Sequence, residues 1–250
     1  MTMPPPVPGK LGKAPARRDP RTLRYEDYRT TGLPLPPAQA HWGHGLPFGM
    51  LGNDEYGDCV EAEYLHQLQI WCDRAGSPFD PTEAEALAAY SAITGFSPGD
   101  PASDQGTDML TACQYWQSTG VAGHQISAYL SVPPTSPQLV READAFYGGC
   151  TIGLQLPLSA QDQFPGTWTV TTGPDAAAGS WGGHCVVLTG YDDTGPWCCT
   201  WGTLQAMTWD WFQTYCDEAF VLLGQEWSEA DGQSPAGLAW GMLQGDLASL

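Results

Sequence analysis

The chain has 250 residues, of which 28 are acidic and nine are basic, so its formal net charge is −19. Seven of the nine basic residues lie within residues 1–30 beside three acidic ones, which leaves two basic and 25 acidic residues for the rest. A body this acidic repels phosphate backbones, and no stretch reaches the roughly 18 apolar residues of a membrane span. We therefore expect neither nucleic-acid nor membrane binding.

The first 40 residues are rich in Pro and Arg and predict an extended arm, residues 1–40. Its positive charge on an acidic body predicts a strap on the body itself or on a neighbouring copy, with a solubilising tail as the alternative. It contains no apolar run of the kind found in a signal peptide. The compartment stays open between the cytoplasm and a virion.

One domain is predicted over residues 41–225, with a helical half at about 41–122 and a β half at about 123–225, before a tail over 226–250. The predicted helices cover residues from Cys59 to about 75, 81–92, 106–119 and 207–219. The predicted strands cover residues 123–132, 150–156, 167–172, 184–191, 197–201 and 219–223. Helices first and strands later indicate an α+β fold. In the tail, Leu243, Leu247 and Leu250 share one helical face and predict a docking helix.

The eight cysteines have neither the spacing of a small disulfide scaffold nor any CxxC pair. They need not form disulfides, and we expect no metal and no cofactor.

A thiolate nucleophile needs a favourable electrostatic environment, a nearby histidine and donors that face the developing oxyanion. Cys59 stands at the predicted start of a helix, where the helix dipole supplies about half a positive charge. Gly57 allows a close approach just before it, and Asn53 offers a side-chain amide. His184 opens the run CVVLTGY and is the best base of the five histidines, expected at a strand edge on a groove open to solvent.

The order of these residues resembles the papain-like cysteine peptidases. That family has an amide residue six before the nucleophile, a glycine two before it, a later G-H-x-V-x-x-x-G-Y segment, and then an N-S-W-G segment. This chain has Asn53, Gly57 and Cys59, then GHCVVLTGY over 183–191, then Thr200-Trp201-Gly202. It is similar to bacterial and actinophage members more than to the secreted peptidases. The resemblance covers roughly residues 50–225 and implies a papain-like fold with a cleft between its halves.

The resemblance also implies roles for individual residues. Cys59 would be the nucleophile, His184 the base and Asn53 the oxyanion donor. The residues that would line the substrate site are Gly57, Gly106, Gly183 and Trp201. Gly106 would match the glycine strand that binds the substrate backbone, and Trp201 would screen the Cys–His pair from water. The substrate would be a peptide or a cell-wall peptide.

The asparagine that orients the histidine in the family is replaced here. Cys199 stands at the aligned position, followed by Thr200, and a thiol is a poor acceptor for an imidazole N–H. Asp192 or Asp193 could substitute, but they are expected at the far end of a hairpin that turns near residues 193–195.

The acidic residues just before Cys59 also oppose a thiolate; they are Asp54, Glu55 and Asp58. Two functions therefore stay open. One is a thiol hydrolase of amide bonds. The other is a weak or inactive papain-fold module in which Cys59 is a buried core residue, serving in assembly through residues 1–30, for example as an accessory capsid or tail protein of a phage.

Overall fold

The computed structural model describes residues 8–30, 32–230 and 240–249. Within these ranges the α-helices are α1 Tyr25–Tyr28, α2 Cys59–Arg74, α3 Glu83–Thr94, α4 Met109–Ser118, α5 Pro137–Tyr147, α6 Ser159–Gln163, α7 Trp209–Tyr215, α8 Gln225–Ala230 and α9 Trp240–Leu247. The strands are β1 Ala40–His41, β2 Ile126–Ser131, β3 Cys150–Leu156, β4 Gly182–Tyr191, β5 Pro196–Thr200, β6 Thr203–Ala206 and β7 Cys216–Gly224. The predicted α+β class is confirmed.

The strands form one sheet in the order β2-β7-β3-β4-β5-β6, and β1 also pairs with β4. Every one of these pairings is antiparallel. Side chains alternate across β4, so Cys185 packs towards the α2 layer while Val186 packs into the core on the opposite face. The sheet is therefore covered on both faces, and β4 lies between β3 and β5.

The three predicted helices of the first half are present, and the starts of α3 and α4 have a local cause. Helix α2 begins at Cys59. Thr82 caps α3 through a reciprocal pair of hydrogen bonds with Glu85, and the Asp108 side chain accepts from Thr111 N to cap α4. These caps place α3 and α4 two to three residues later than the sequence pattern predicts.

Several elements differ from the prediction. The helix predicted over 207–219 ends at Tyr215, and β7 begins at Cys216. The short elements α1, α6, α8, β1 and β6 were not predicted. Residues 167–172 form no strand, because only Trp168 makes a bridge, to Met207, and its ring is stacked in the core on Trp211 at 4.7 Å. Helix α5 was not predicted, although Ser136 caps it, a proline follows at its first position, and Gly148 ends it in the left-handed conformation.

The described part of the arm lies on the chain's own body. Arg17 pairs with Asp108 at 3.1 Å, and Arg29 pairs with Glu142, which is buried, at 2.6 Å. Ser131 N donates to Leu23 O at 2.9 Å beside the free edge of β2. The positive charge of the arm therefore meets the negative charge of the body directly.

The tail contributes α9, where Leu243 is buried and Leu247 packs against the same core. Asp246 accepts a hydrogen bond from Tyr28 Oη of α1 at 2.7 Å. Leu250, the third residue of the predicted apolar face, lies outside the described residues. No helix in the described ranges is long and apolar enough to cross a membrane.

Candidate functional site

Cys59 and His184 come from different layers and meet at one small void. Cys59 is the first residue of α2, and His184 is the third residue of β4. Asn53, Thr200 and Trp201 line the same void. The packing of α2 onto the sheet therefore brings together Cys59 and His184, which lie far apart in the sequence.

His184 is held on two sides. Its Nε2 lies 2.7 Å from Thr200 Oγ1, and the Trp201 ring stacks on the imidazole with centroids 4.7 Å apart and planes 21° apart. Its Nδ1 is buried with no hydrogen-bond partner among the described residues. The expectation of an exposed strand edge is wrong, since His184 is 1% exposed. Burial lowers the pKa of His184 to about 3, so the ring is neutral at pH 7.

Thr200 was not predicted to contact His184. It occupies the position next to His184 that an orienting side chain would need, while Cys199 at the aligned position is buried. Asp192 instead accepts from Thr194 N at 2.7 Å in the β4–β5 turn. It lies eight residues along β4 from His184, which is about 26 Å of extended chain. The only available signal was that Thr200 follows Cys199 directly.

The sulfur of Cys59 is buried, and burial is the main cause that raises the pKa of this thiol to about 12. Hydrogen bonds from the backbone of Cys185 and of Gly12 act the other way, and the charges of Glu61 and Asp58 contribute smaller increases. Burial also raises the pKa of Asp58 to about 8, so this carboxyl is largely neutral at pH 7. Lost hydration, more than the acidic segment before Cys59, therefore opposes the thiolate.

The Asn53 amide is engaged within its own turn. Its Nδ2 donates to Tyr56 O at 3.0 Å. Asn53 is close to the sulfur, in the void that Cys59 lines. To act as an oxyanion donor, the Asn53 amide would have to give up its hydrogen bond to Tyr56 O.

The groove beside Cys59 is filled by the N-terminal arm. Lys10 N donates to Asn53 O at 2.6 Å, and Trp201 Nε1 donates to Lys10 O at 3.2 Å. Farther along, Lys13 N donates to Gly183 O at 3.1 Å. The expectation of a groove open to solvent is therefore wrong for this chain, because backbone groups of residues 9–14 satisfy those of its walls.

The arm also pairs with the segment that carries Gly106. Thr107 N donates to Gly12 O at 2.8 Å, and Ala14 N donates to Thr107 O at 3.0 Å, which makes a short parallel bridge around Lys13. A side chain at Gly106 would overlap the carbonyl of Gly12. The absence of a Cβ at this position lets the two backbones approach.

The other two glycines of the predicted substrate site make the same kind of approach. A side chain at Gly183 would overlap Lys13 O, and a side chain at Gly12 would overlap the carbonyl of Gly57. All the predicted substrate-site residues therefore lie along the arm. They hold an extended peptide, which in this structure is the chain's own N-terminal segment.

Lys13 sends its side chain into an acidic pocket. Its Nζ lies 2.9 Å from Glu218 Oε1 and 3.1 Å from Asp217 Oδ2, and the side chain is fully buried. Burial acts to lower the pKa of Lys13, but the two carboxylates outweigh it and the pKa is raised. Lys13 is therefore a buried cation paired with two acids.

Among the described residues, no group of three or more His, Cys, Asp or Glu side chains is arranged to hold a metal ion. The eight cysteines are all unpaired, and seven of them are buried.

Comparison with known proteins gives a consistent fold. No family model matches the sequence, and no curated protein matches it. Among solved structures, xylellain, a cysteine protease from Xylella fastidiosa, is 14% identical, with a TM-score of 0.69 over 89% of this chain and 99% of that one. Procathepsin B from Trypanosoma congolense is 11% identical, with a TM-score of 0.56 over 86% of each chain.

A cysteine protease of Carica candamarcensis, solved in complex with E-64, is 15% identical, with a TM-score of 0.53 over 75% of this chain and 98% of that one. These likenesses establish that the chain has a papain-like fold. The fold implied by the sequence resemblance is confirmed.

Proposed function

We propose that the chain is a papain-like thiol hydrolase of amide bonds, with Cys59 as nucleophile and His184 as base, and that residues 9–14 keep it latent. The observation that carries the proposal is the shared void of Cys59 and His184, with an extended peptide already seated beside it. The fold neighbours support it, since xylellain and the Carica candamarcensis protein are cysteine proteases and the Trypanosoma congolense protein is a procathepsin.

In the proposed reaction, His184 accepts the proton of the Cys59 thiol, and the sulfur attacks the carbonyl carbon of a peptide. The C–N bond breaks, the imidazolium gives its proton to the leaving amine, and a thioester remains. His184 then takes a proton from water, the hydroxide attacks the thioester, and the C–S bond breaks. The imidazolium returns its proton to the departing sulfur, so that the carboxylic acid and the Cys59 thiol are released. The backbone N–H of Cys59 and the Asn53 amide would stabilise the oxyanion.

The closed arm explains latency by desolvation. With the arm seated, burial raises the pKa of Cys59 and lowers that of His184, so the proton stays on the sulfur. Departure of residues 9–14 would admit water and substrate together. Both pKa values would then move towards each other, which favours the thiolate–imidazolium pair.

The test uses the full chain with Gly12→Ala, because a Cβ at Gly12 would overlap the Gly57 carbonyl and displace the arm. The control is Gly99→Ala, where a Cβ meets open space. We expect Gly12→Ala to speed alkylation of Cys59 by iodoacetamide, located by mass spectrometry, and to release hydrolysis of a mixed peptide pool. Adding Cys59→Ala should abolish both. Rapid alkylation of Cys59 with no peptide or cell-wall peptide cleaved would reject the hydrolase.

That outcome would favour the alternative, a catalytically inactive module that assembles through residues 1–30, for example within a phage particle. The described arm already finds its partners on its own body, so its order needs no second copy. Light scattering on the parent and on Gly12→Ala separates the two functions. A multimer that dissociates when the arm is displaced would support assembly, and a monomer in both forms would count against it.

A further inference from the structure

We propose that the acidic pocket around Lys13 is a specificity pocket, and that it selects peptides carrying a lysine one residue from the backbone position that faces Cys59. This inference rests on the proposed function, because it names the substrate class for the same groove. Four residues form the pocket: Met109, Gly153, Asp217 and Glu218.

The position of the pocket follows from the path of the arm. Gly12 packs against the backbone of Gly57, two residues before Cys59, and the next residue, Lys13, places its ammonium between Asp217 and Glu218. The Lys13 backbone is fixed on both sides, by Gly183 O and by the bridge to Thr107. Any extended peptide that uses these backbone partners presents one side chain to the pocket.

The depth of the pocket matches a long, unbranched stem. A Cβ at Gly153 would overlap Lys13 Cε and would lie 2.7 Å from Glu218 Cγ and 2.9 Å from Met109 Sδ. Gly153 therefore leaves the space that the last methylene of a lysine fills. Beyond that methylene the ammonium reaches both carboxylates at once.

The charge of the pocket requires a cation. The Glu218 side chain is only 10% exposed and that of Asp217 is 27% exposed, so two acids stand side by side with little water. Gln155 Nε2 donates to Asp217 Oδ2 at 2.7 Å and holds that carboxylate in place. An apolar side chain would leave the pair uncompensated, and loss of one partner from a buried charge pair is costly.

The arm is the natural competitor for the pocket, since Lys13 occupies it. A lysine peptide that displaced the arm would form the same ion pairs that Lys13 makes with the two acids. A leucine peptide would displace the arm and leave both carboxylates without a cation. From the energetics of buried charge pairs, we expect discrimination of about 30-fold or more in favour of lysine.

The first experiment measures how strongly the pocket holds the arm, and it does not depend on catalysis. Alkylation of Cys59 is followed in the full chain, in Lys13→Ala and in Arg18→Ala, a control that removes a charge from an exposed position of the same arm. We expect Lys13→Ala to speed alkylation at least tenfold and Arg18→Ala to leave it within about twofold. Equal rates in the full chain and in Lys13→Ala would show that the pocket does not hold the arm and would overturn the inference.

The second experiment measures whether the pocket prefers a lysine peptide to other peptides. Peptides of sequence LGKAP, LGLAP and LGEAP, the first of which copies residues 11–15, are tested for protection of Cys59 from iodoacetamide in Lys13→Ala. We expect LGKAP to protect at a concentration about 30-fold lower than LGLAP, and LGEAP to protect least. Equal protection by all three would overturn the inference.

Two isosteric changes locate the effect. Glu218→Gln and Asp217→Asn, each in Lys13→Ala, should reduce the preference for LGKAP over LGLAP, and each is checked by its thermal melt. Protection does not require peptide hydrolysis, so this result stands apart from the proposed function. Selective protection without cleavage would reject the hydrolase and keep a lysine-binding groove, whereas cleavage of lysine and leucine peptides at equal rates would reject only the pocket.

Discussion

The hydroxyl of Thr200 lies 2.7 Å from the Nε2 of His184, at the place where an orienting side chain must stand. Trp201, the next residue, stacks on the same imidazole, so consecutive residues fix both the in-plane and the face-on position of the ring. The His184 imidazole is therefore positioned by a hydroxyl and an indole.

Thr200 can be tested as a positioning residue in the Gly12→Ala chain. Thr200→Val keeps the shape and removes the hydrogen bond, and we expect it to lower kcat about fivefold with little change in KM, since a neutral hydrogen bond contributes about 1 kcal/mol. Thr200→Ser keeps the hydroxyl and should retain activity within about threefold. An unchanged kcat in Thr200→Val would show that the contact has no role in orienting His184.

Trp201 joins the imidazole to the arm and should affect both. Trp201→Phe keeps an aromatic face for His184 but loses the Nε1 donor to Lys10 O, so we expect faster alkylation of Cys59. Trp201→Ala removes a side chain that is buried in the main core, and we expect it to cost about 3–5 kcal/mol of unfolding free energy. Urea unfolding and the alkylation rate measure the two effects separately. Alkylation of Trp201→Phe at the parent rate would contradict the proposed link.

Arg29 is expected to anchor the far end of the arm. It makes two short contacts to Glu142, a carboxylate with 1% of its side chain exposed, so Arg29→Ala would strand a buried charge. We expect a loss of about 1.5–3 kcal/mol in urea unfolding. Arg24→Ala, which breaks ion pairs that are exposed on both sides, should change the same quantity by less than about 1 kcal/mol. Equal losses in the two variants would contradict the assignment of Arg29 as the anchor.

Stability should fall as pH rises from 6.5 to 8. Burial alone raises the pKa of Asp144 to about 8, and burial is the main cause that raises the pKa of Glu61 and Glu63 to about 8. Because the folded state binds these protons more tightly than the unfolded state does, their contribution is complete below pH 4 and is lost as pH rises to 8. Each group contributes up to about 1.4 kcal/mol per pH unit.

Two buried histidines act in the opposite direction at lower pH. Burial lowers the pKa of His66 to about 4 and that of His184 to about 3, so their contribution is present above pH 6.5 and is lost as pH falls through those values. The window from pH 6.5 to 8 therefore isolates the carboxyls. We expect Asp144→Asn to flatten the pH dependence of the unfolding free energy there and Asp73→Asn, at an exposed position, to leave it unchanged. A parent chain equally stable at pH 6.5 and 8 would contradict this prediction.

The candidate site residues could be predicted from the sequence because short segments of the chain identify them. Asn53, Gly57 and Cys59 lie within seven residues, and His184 begins a β-branched run, so local sequence together with the resemblance to papain-like peptidases nominated them. The structure brings them to one groove, and their catalytic roles stay predictions. Thr200 gave no such signal, because a lone threonine beside a cysteine has no pattern of its own, and only the pairing of β4 with β5 sets it beside His184.

The sequence by itself determined the α+β order, the start of α2 at Cys59 and the sign of the charge on arm and body, because periodicity, capping and composition act over a few neighbouring residues. The tertiary structure alone decided where the arm runs and what its Lys13 meets. Residues 9–14 have no periodicity, and their partners at Asn53, Thr107 and Gly183 are backbone groups that any sequence possesses. The pocket for Lys13 likewise exists only where β3 and β7 bring Gly153 beside Glu218.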